Sequence, residues 1–316
     1  MKKIALAAAL ALGATPLAAE EVLRGVTAFA TGTTFSRPFE AFIERVNETG
    51  AGVVQIEYVG GSEAIPTFEL GNAVSDGIVD IANNTTAFYT NLLPWGDALH
   101  LATNTVQDQR ANGCFDKIDM LHQQQMNVKF LARTGDNIQF HLYLTKPIEG
   151  PDLSGLTIRT TPVYRGMFEA LGATLVRTAP GEVYTSLERG AIDGYGWPTQ
   201  GILDLGWDEQ TKYRVDPGFY QVDVNFLVNL DRWNSLSDEA RAVLEDAATW
   251  IEEKNAENLD INAAELAAQA EAGIETITFE GEAAETWLGA AQREGWAGVE
   301  EIDAEIAEEL RACLVD

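Results

Sequence analysis

The stretch PDLSGLTIRTTPVYRGMFEALGATLVRTAPGEVYTSLERGAIDGYGWP, Pro151–Pro198, reads as strand, helix, strand, helix, strand with little slack between elements. Leu156–Arg159 is a short apolar run ending in a charge. Thr161–Pro162 then opens a helix: Thr caps orphan amides, and Pro at the first helical position loses no hydrogen bond. Gly172 ends that helix in the left-handed conformation a helix terminus favours. Thr174–Arg177 is the next strand and Glu182–Arg189 the next helix, stopped by Gly190. Ala191–Asp193 reads as a third strand and Gly194–Pro198 as the loop beyond it. Such alternation builds a parallel sheet, and ligands of such sheets sit beyond the carboxyl ends of the strands.

Arg159 stands at one of these ends. A guanidinium there can fork onto a carboxylate with two parallel hydrogen bonds, which a lysine cannot. The competing reading is an internal ion pair that steadies the lobe, and spacing alone does not separate the two.

Residues 152–198 resemble the signature region of the DctP-type solute receptors of TRAP (tripartite ATP-independent periplasmic) transporters. The motifs that carry the resemblance are Asp152-Leu-Ser-Gly-Leu-Thr-Ile-Arg159, Leu171-Gly-Ala173 and Glu182-Val-Tyr-x-x-Leu-x-x-Gly-x-Ile-Asp-Gly194. A weaker likeness extends over nearly the whole mature chain, including Trp233-Asn-Ser-Leu-Ser before a long helical pattern. The resemblance implies a two-lobe α/β periplasmic-binding-protein fold and a substrate carboxylate held by Arg159. It also implies membrane permease subunits as partners, and substrate contacts near Asn84 and near Phe29–Thr31.

The rim of the second lobe departs from the family's commonest pattern. Asp193-Gly-Tyr-Gly-Trp-Pro198 stands where D-G-x-E-N-P is familiar in receptors for sialic acid and C4-dicarboxylates. Some keto-acid receptors of the family carry Trp at this place beside a Glu that helps hold a metal ion. Gly196 has no side chain to ligate with, so no metal and no cofactor is expected. Trp197, in a loop at the edge of solvent, offers an apolar face and one N–H donor.

At the start of the chain, Met1–Ala19 has the grammar of a secretory leader. Lys2 and Lys3 form its basic head, Ile4–Leu12 its apolar stretch and Pro16–Ala19 its small-residue cleavage region. Export to the periplasm with cleavage near Ala19 follows. The net charge of −28 becomes −30 once the two leader lysines are gone. So acidic a surface repels phosphate backbones, which excludes nucleic-acid binding. The two cysteines, Cys114 and Cys313, form either one disulfide closing a long loop or two buried thiols; sequence leaves both open.

Two lobes are expected: residues 20–143 with about 222–255 in the first, and 144–221 with about 256–316 in the second. Val74-x-x-Gly-x-Val-Asp80 echoes Leu187-x-x-Gly-x-Ile-Asp193, as if each lobe ended a helix, stopped at Gly and began a strand in the same way. Asp80 and Asp193 are read as strand ends that hold backbone amides, in preference to a pair of catalytic carboxylates. Ser237–Ala272 gives a long helical pattern, stopped at Gly273, that braces both lobes. Gly281–Leu314 reads as a final amphipathic helix.

Catalytic patterns are scarce. His100, His122 and His141 lack metal-ligand spacing, and no HExxH, CxxC or GxSxG occurs. The chain is therefore read as a monomeric receptor and not an enzyme; an exported α/β enzyme and a receptor for an ABC-type importer are the alternatives. Lys and Arg are nearly absent from the candidate loops. Trp197, Tyr195 and Phe140 supply apolar faces, with Gln139, Asn84, Thr31 and neighbouring threonines as hydrogen-bond partners. These features point to a monocarboxylate with a compact apolar or ring-bearing body, with Arg37 and Arg165 as the nearest second cations and Arg165 the one placed to turn into the cleft.

Overall fold

The computed structural model describes residues 19–315, so the leader reading lies outside the described residues except at Ala19. Eleven strands follow in chain order. They are β1 (Glu21–Thr27), β2 (Val54–Gly60), β3 (Ile81–Asn84), β4 (Val128–Thr134), β5 (Phe140–Leu144) and β6 (Thr157–Thr160). Then come β7 (Thr174–Arg177), β8 (Gly194–Pro198), β9 (Tyr213–Asp216), β10 (Val224–Asn229) and β11 (Glu275–Thr278). They form two mixed sheets, ordered β2-β1-β3-β10-β4 and β11-β9-β5-β8-β6-β7. Each sheet is the centre of one α/β lobe.

Local chemistry explains the first sheet. The helix Arg37–Thr49 buries Phe39, Phe42, Ile43 and Val46, one face of a 3.6-residue period, against β1 and β2. Asp80 accepts from the Arg24 amide at 2.7 Å just before β3. In the second lobe Asp193 accepts from the Thr157 amide at 2.8 Å just before β8. The two aspartates therefore share a job, and it is structural.

Two short segments, 135–139 and 217–223, carry the chain between the sheets. They pair with each other: Phe140 N donates to Tyr220 O at 2.8 Å and Val222 N to Ile138 O at 2.9 Å. Over them runs the helical stretch that braces both lobes. It is not the uninterrupted helix expected, because a 3-10 turn at Lys254–Glu257 separates helices Asp238–Glu253 and Asn258–Glu271. Asn255, Asn258 and Asn262 sit at that turn and just beyond, and their amides bond the crossing backbone at Arg133, Asp136 and Asn137. Farther along, Gln269 reaches Thr199 O at 2.7 Å in the second lobe.

Three further expectations are corrected. The residues Gly194–Pro198 are a strand, not a loop, since β8 pairs along its whole length with β5. Ladder pairing on both sides outweighs the low strand propensity of its two glycines. The C-terminal segment breaks at Asp303, whose carboxylate caps the helix Ala304–Leu314. Within the stretch 256–316, expected with the second lobe, that last helix packs on the helix Cys114–Met126 of the first. The Cys114–Cys313 disulfide joins the two, with Cα atoms 5.5 Å apart, which settles the alternative left open by sequence.

A buried chain of polar groups crosses the first lobe. Asn225 donates to the Tyr89 hydroxyl at 3.0 Å, the hydroxyl meets His122 Nε2 at 3.2 Å, and His122 Nδ1 meets Ile118 O at 2.8 Å. Burial holds the His122 pKa down to about 4, only partly offset by its bond to the Ile118 carbonyl. Between pH 6.5 and 4 the unfolded chain thus takes up a proton that the folded chain refuses. Stability is expected to fall across that window by on the order of 3 kcal/mol. Urea unfolding at pH 7 and pH 4.5 checks this: His122→Gln should flatten the fall, and an unchanged slope would exclude the account.

Candidate functional site

Where the strand ends of the two lobes meet, a small cavity lies between them. The first lobe contributes Phe29, Phe35 and Phe88; the second contributes Arg159, Tyr164 and Trp197. The start of β5 adds Phe140, and the returning crossing segment adds Asp223. The lips are closed: Asp204 accepts from Thr34 N at 2.9 Å and Thr34 Oγ1 at 2.7 Å, and pairs with Arg37 at 3.1 Å. On another side Arg177 lies over the Phe68 ring, 4.2 Å from its centroid.

Arg159 is 0% exposed, and its five N–H groups can be assigned. Nε and Nη2 each donate to Thr178 O, at 3.1 and 2.9 Å, and Nη1 donates to the Tyr164 hydroxyl at 2.9 Å. One N–H remains on each of Nη1 and Nη2, without a protein partner among the described residues. Unspent N–H groups on two nitrogens of one guanidinium can grip a carboxylate. No side-chain carboxylate pairs with Arg159 among the described residues, so the internal ion-pair reading does not hold.

Tyr164 fixes the guanidinium. Its hydroxyl accepts from Arg159 and donates to Gly196 O at 2.9 Å. A Cβ on Gly196 would meet the Tyr164 ring at 2.7 Å, so the departure from an acid at this position follows from packing. Sequence reasoning passed over Tyr164, although it stands in the first turn after Thr161–Pro162.

Of the residues expected at the site, the structure brings Arg159, Trp197 and Phe140 to the cavity wall. Trp197 is 5% exposed, lies in a strand instead of a solvent-edge loop, and its Nε1 has no partner. The other four lie elsewhere. Tyr195 is core: it stacks on Tyr143 at 5.3 Å and its hydroxyl bonds Thr211 at 2.7 Å. Gln139 is exposed and packs beside Gly218 on the crossing segment. Thr31 is exposed and bonded to the Tyr58 hydroxyl at 2.8 Å. Asn84 is buried outside the cavity, its Oδ1 accepting from Thr85 N at 2.9 Å. Thr85, one residue on, lines the wall instead. Arg165 points away, paired with Glu169, its side chain 66% exposed.

Asp223 is the residue sequence reasoning missed most completely. Its one signal was an acid inside the apolar run Val222–Leu230, the kind of buried charge that needs partners. It has four. Oδ1 takes His100 Nε2 at 2.7 Å and Thr85 Oγ1 at 3.0 Å; Oδ2 takes Thr86 N at 3.1 Å and Asn225 Nδ2 at 2.6 Å. Burial drives the Asp223 pKa up, but His100 and these donors more than reverse it, leaving it below the usual carboxylate value. Burial likewise lowers the His100 pKa, and the Asp223 charge and hydrogen bond outweigh that, leaving it raised. With Nδ1 at 2.9 Å from Gln221 O, both ring nitrogens are placed as donors of an imidazolium. The residues do not fit a metal centre. The oxygens of Asp223 are filled by these four donors, and Gly196 has no side chain.

Two α/β lobes on paired crossing segments, closed over a cavity with a forked cation, are the build of a hinged solute receptor. The chain belongs to the bacterial extracellular solute-binding proteins of family 7, the DctP family of TRAP receptors, whose model matches residues 26–297. It is 27% identical over 223 residues to a monocarboxylate 2-oxoacid-binding periplasmic protein of Nostoc, an alignment that covers 66% of this chain and 60% of that protein. In fold it is similar to a TRAP periplasmic solute-binding protein of Roseobacter denitrificans with bound L-galactonate. That match has TM-score 0.80 and 21% identity, over 92% of this chain and 99% of that one. It is also similar to a Bordetella pertussis extracytoplasmic solute receptor binding pyroglutamic acid, at TM-score 0.82 and 16% identity, over 93% and 99% of the two chains. Among the described residues no helix is long and apolar enough to cross a membrane.

Proposed function

We propose that the protein is an exported receptor that captures a small organic monocarboxylate and delivers it to the membrane subunits of a TRAP permease. Closure of the lobes traps the ligand, and the closed form is what the permease recognises. The leader is cleaved near Ala19 and the receptor works as a monomer without catalysing a reaction. One observation carries the ligand class. Arg159 lines the cavity with two N–H groups unspent, and no second cation lines it, Arg165 and Arg37 being paired elsewhere.

The ligand's body is compact and apolar or ring-bearing. Phenylalanine rings, Tyr164 and Trp197 make most of the wall, and burying a ring-sized body against them contributes about 2–3 kcal/mol. Thr161 Oγ1 and Trp197 Nε1, both buried without a partner, are left to read one further polar group. A polyhydroxylated acid needs more partners than these. The 2-oxoacid monocarboxylates named for the Nostoc relative and the pyroglutamic acid of the Bordetella receptor suit such a wall.

Native mass spectrometry of the protein after incubation with a pool of organic acids tests the reading. One unaltered monocarboxylate bound one to one is expected. Turnover of any acid would favour the enzyme alternative. Capture of sugar acids alone would overturn the compact apolar ligand.

A further inference from the structure

Among the residues that line the cavity, Arg159 and Asp223 are the two that carry charge. Arg159 is used by the ligand's carboxylate on the reading above, on which this inference rests. Asp223 is wholly buried and its four hydrogen-bond partners keep it ionised, yet they also fill its oxygens. It therefore has nothing to offer a ligand by direct hydrogen bonding. Its cationic partner, His100, stands behind it and does not line the cavity. The buried pair is neutral as a whole, but its negative end faces the ligand.

The three charges fix what a dry, closed cavity tolerates. Arg159, Asp223 and His100 sum to one positive charge, which a single carboxylate offsets; Asp97, the other buried acid beside His100, has its pKa raised by burial to about 7 and adds a negative charge only above that. A second carboxylate leaves an uncompensated buried charge, which is costly. In a cavity of this size it also lies within strong Coulombic reach of Asp223. We propose that Asp223 is a specificity residue: it presents a fixed negative wall that restricts the cavity to ligands carrying one negative charge. Selectivity of this kind comes from a repulsive element set against the wrong ligand as much as from attraction to the right one. The full set of partners around Asp223 also argues against its acting as an anchor for an ammonium group.

The test compares butyrate with succinate, which share a four-carbon frame and differ by one charge, on wild type and Asp223→Asn by isothermal titration. Asparagine keeps the shape and removes the charge. The ratio of succinate to butyrate dissociation constants is expected to fall at least tenfold, about 1.4 kcal/mol, in the variant. Should Asp223→Asn not fold, wild type alone decides through succinate against monomethyl succinate, with at least a tenfold preference for the monoester expected. Equal affinity of wild type for these two, or an unchanged ratio in a folded variant that still binds butyrate, would overturn the proposal. So would a preference of wild type for 2-aminobutyrate over butyrate, which would make Asp223 an ammonium anchor. Failure of wild type to bind any monocarboxylate would overturn the functional reading itself, and this inference with it.

Discussion

Arg159→Lys is expected to weaken monocarboxylate binding by about 1.5–3 kcal/mol, the worth of a hydrogen bond to a charged group, although the positive charge stays in place. Arg159→Ala should cost about 3–5 kcal/mol, because the ligand's carboxylate is then buried without a partner. The difference comes from geometry. Three of the five N–H groups of Arg159 are spent on Thr178 O and the Tyr164 hydroxyl, which fixes the guanidinium and leaves one N–H on each of Nη1 and Nη2. A lysine ammonium is a point donor on a flexible stem and cannot hold both carboxylate oxygens and the Thr178 carbonyl at once. Isothermal titration with a monocarboxylate bound by wild type measures the loss, and circular dichroism of the unliganded variants guards against misfolding. If Arg159→Lys binds like wild type, end-on recognition is the wrong account of the site.

Removing the disulfide is expected to have the largest effect on stability. Cys114 and Cys313 are 199 residues apart, so the bond closes most of the folded chain into one loop. By chain entropy, opening such a loop costs about 5 kcal/mol, and for a protein of this size that is a fall in melting temperature of roughly 8–10 °C. The bond is reinforced where it lies: the side-chain amides of Asn104 and Asn112 each donate to Cys313 O at 2.9 Å, and Thr103 N donates to Leu314 O at 2.9 Å. Leu310 and Leu314 are buried beneath. The last helix should therefore stay docked when the sulfurs are gone, and the loss should appear as global destabilisation. Calorimetry of the Cys114→Ser/Cys313→Ser double variant checks this. A melting temperature within a degree or two of wild type would rule out the loop-closure account.

Most of the fold was legible because it is written in near neighbours. The 3.6-residue spacing of Phe39, Phe42, Ile43 and Val46, the glycine stops at Gly172 and Gly190, and the short strand that carries Arg159 each depend on a handful of adjacent residues. The matching roles of Asp80 and Asp193 were legible from one repeated local motif, although the amides they hold belong to neighbouring strands 56 and 36 residues away. Backbone conformation and capping are local physics, and a sequence states them directly.

The site was legible only where one residue announced its chemistry alone. Arg159 stood out as a cation near the end of an apolar strand, though its role came from the family resemblance and not from spacing. Asp223 and His100 did not, because they are 123 positions apart and become a pair only when the crossing segment folds back on the first lobe. Tyr195 and Trp197 are alike in sequence, two aromatics in one short stretch. One is sealed against Tyr143 in the core while the other lines the cleft. Gly196 looked like an absent ligand and is the seat of the Tyr164 ring. The sequence by itself determined the two-lobe α/β class and the family. The tertiary structure alone decided which side chains line the cavity, because burial and hydrogen-bond partners are set by residues that meet only after the chain has closed on itself.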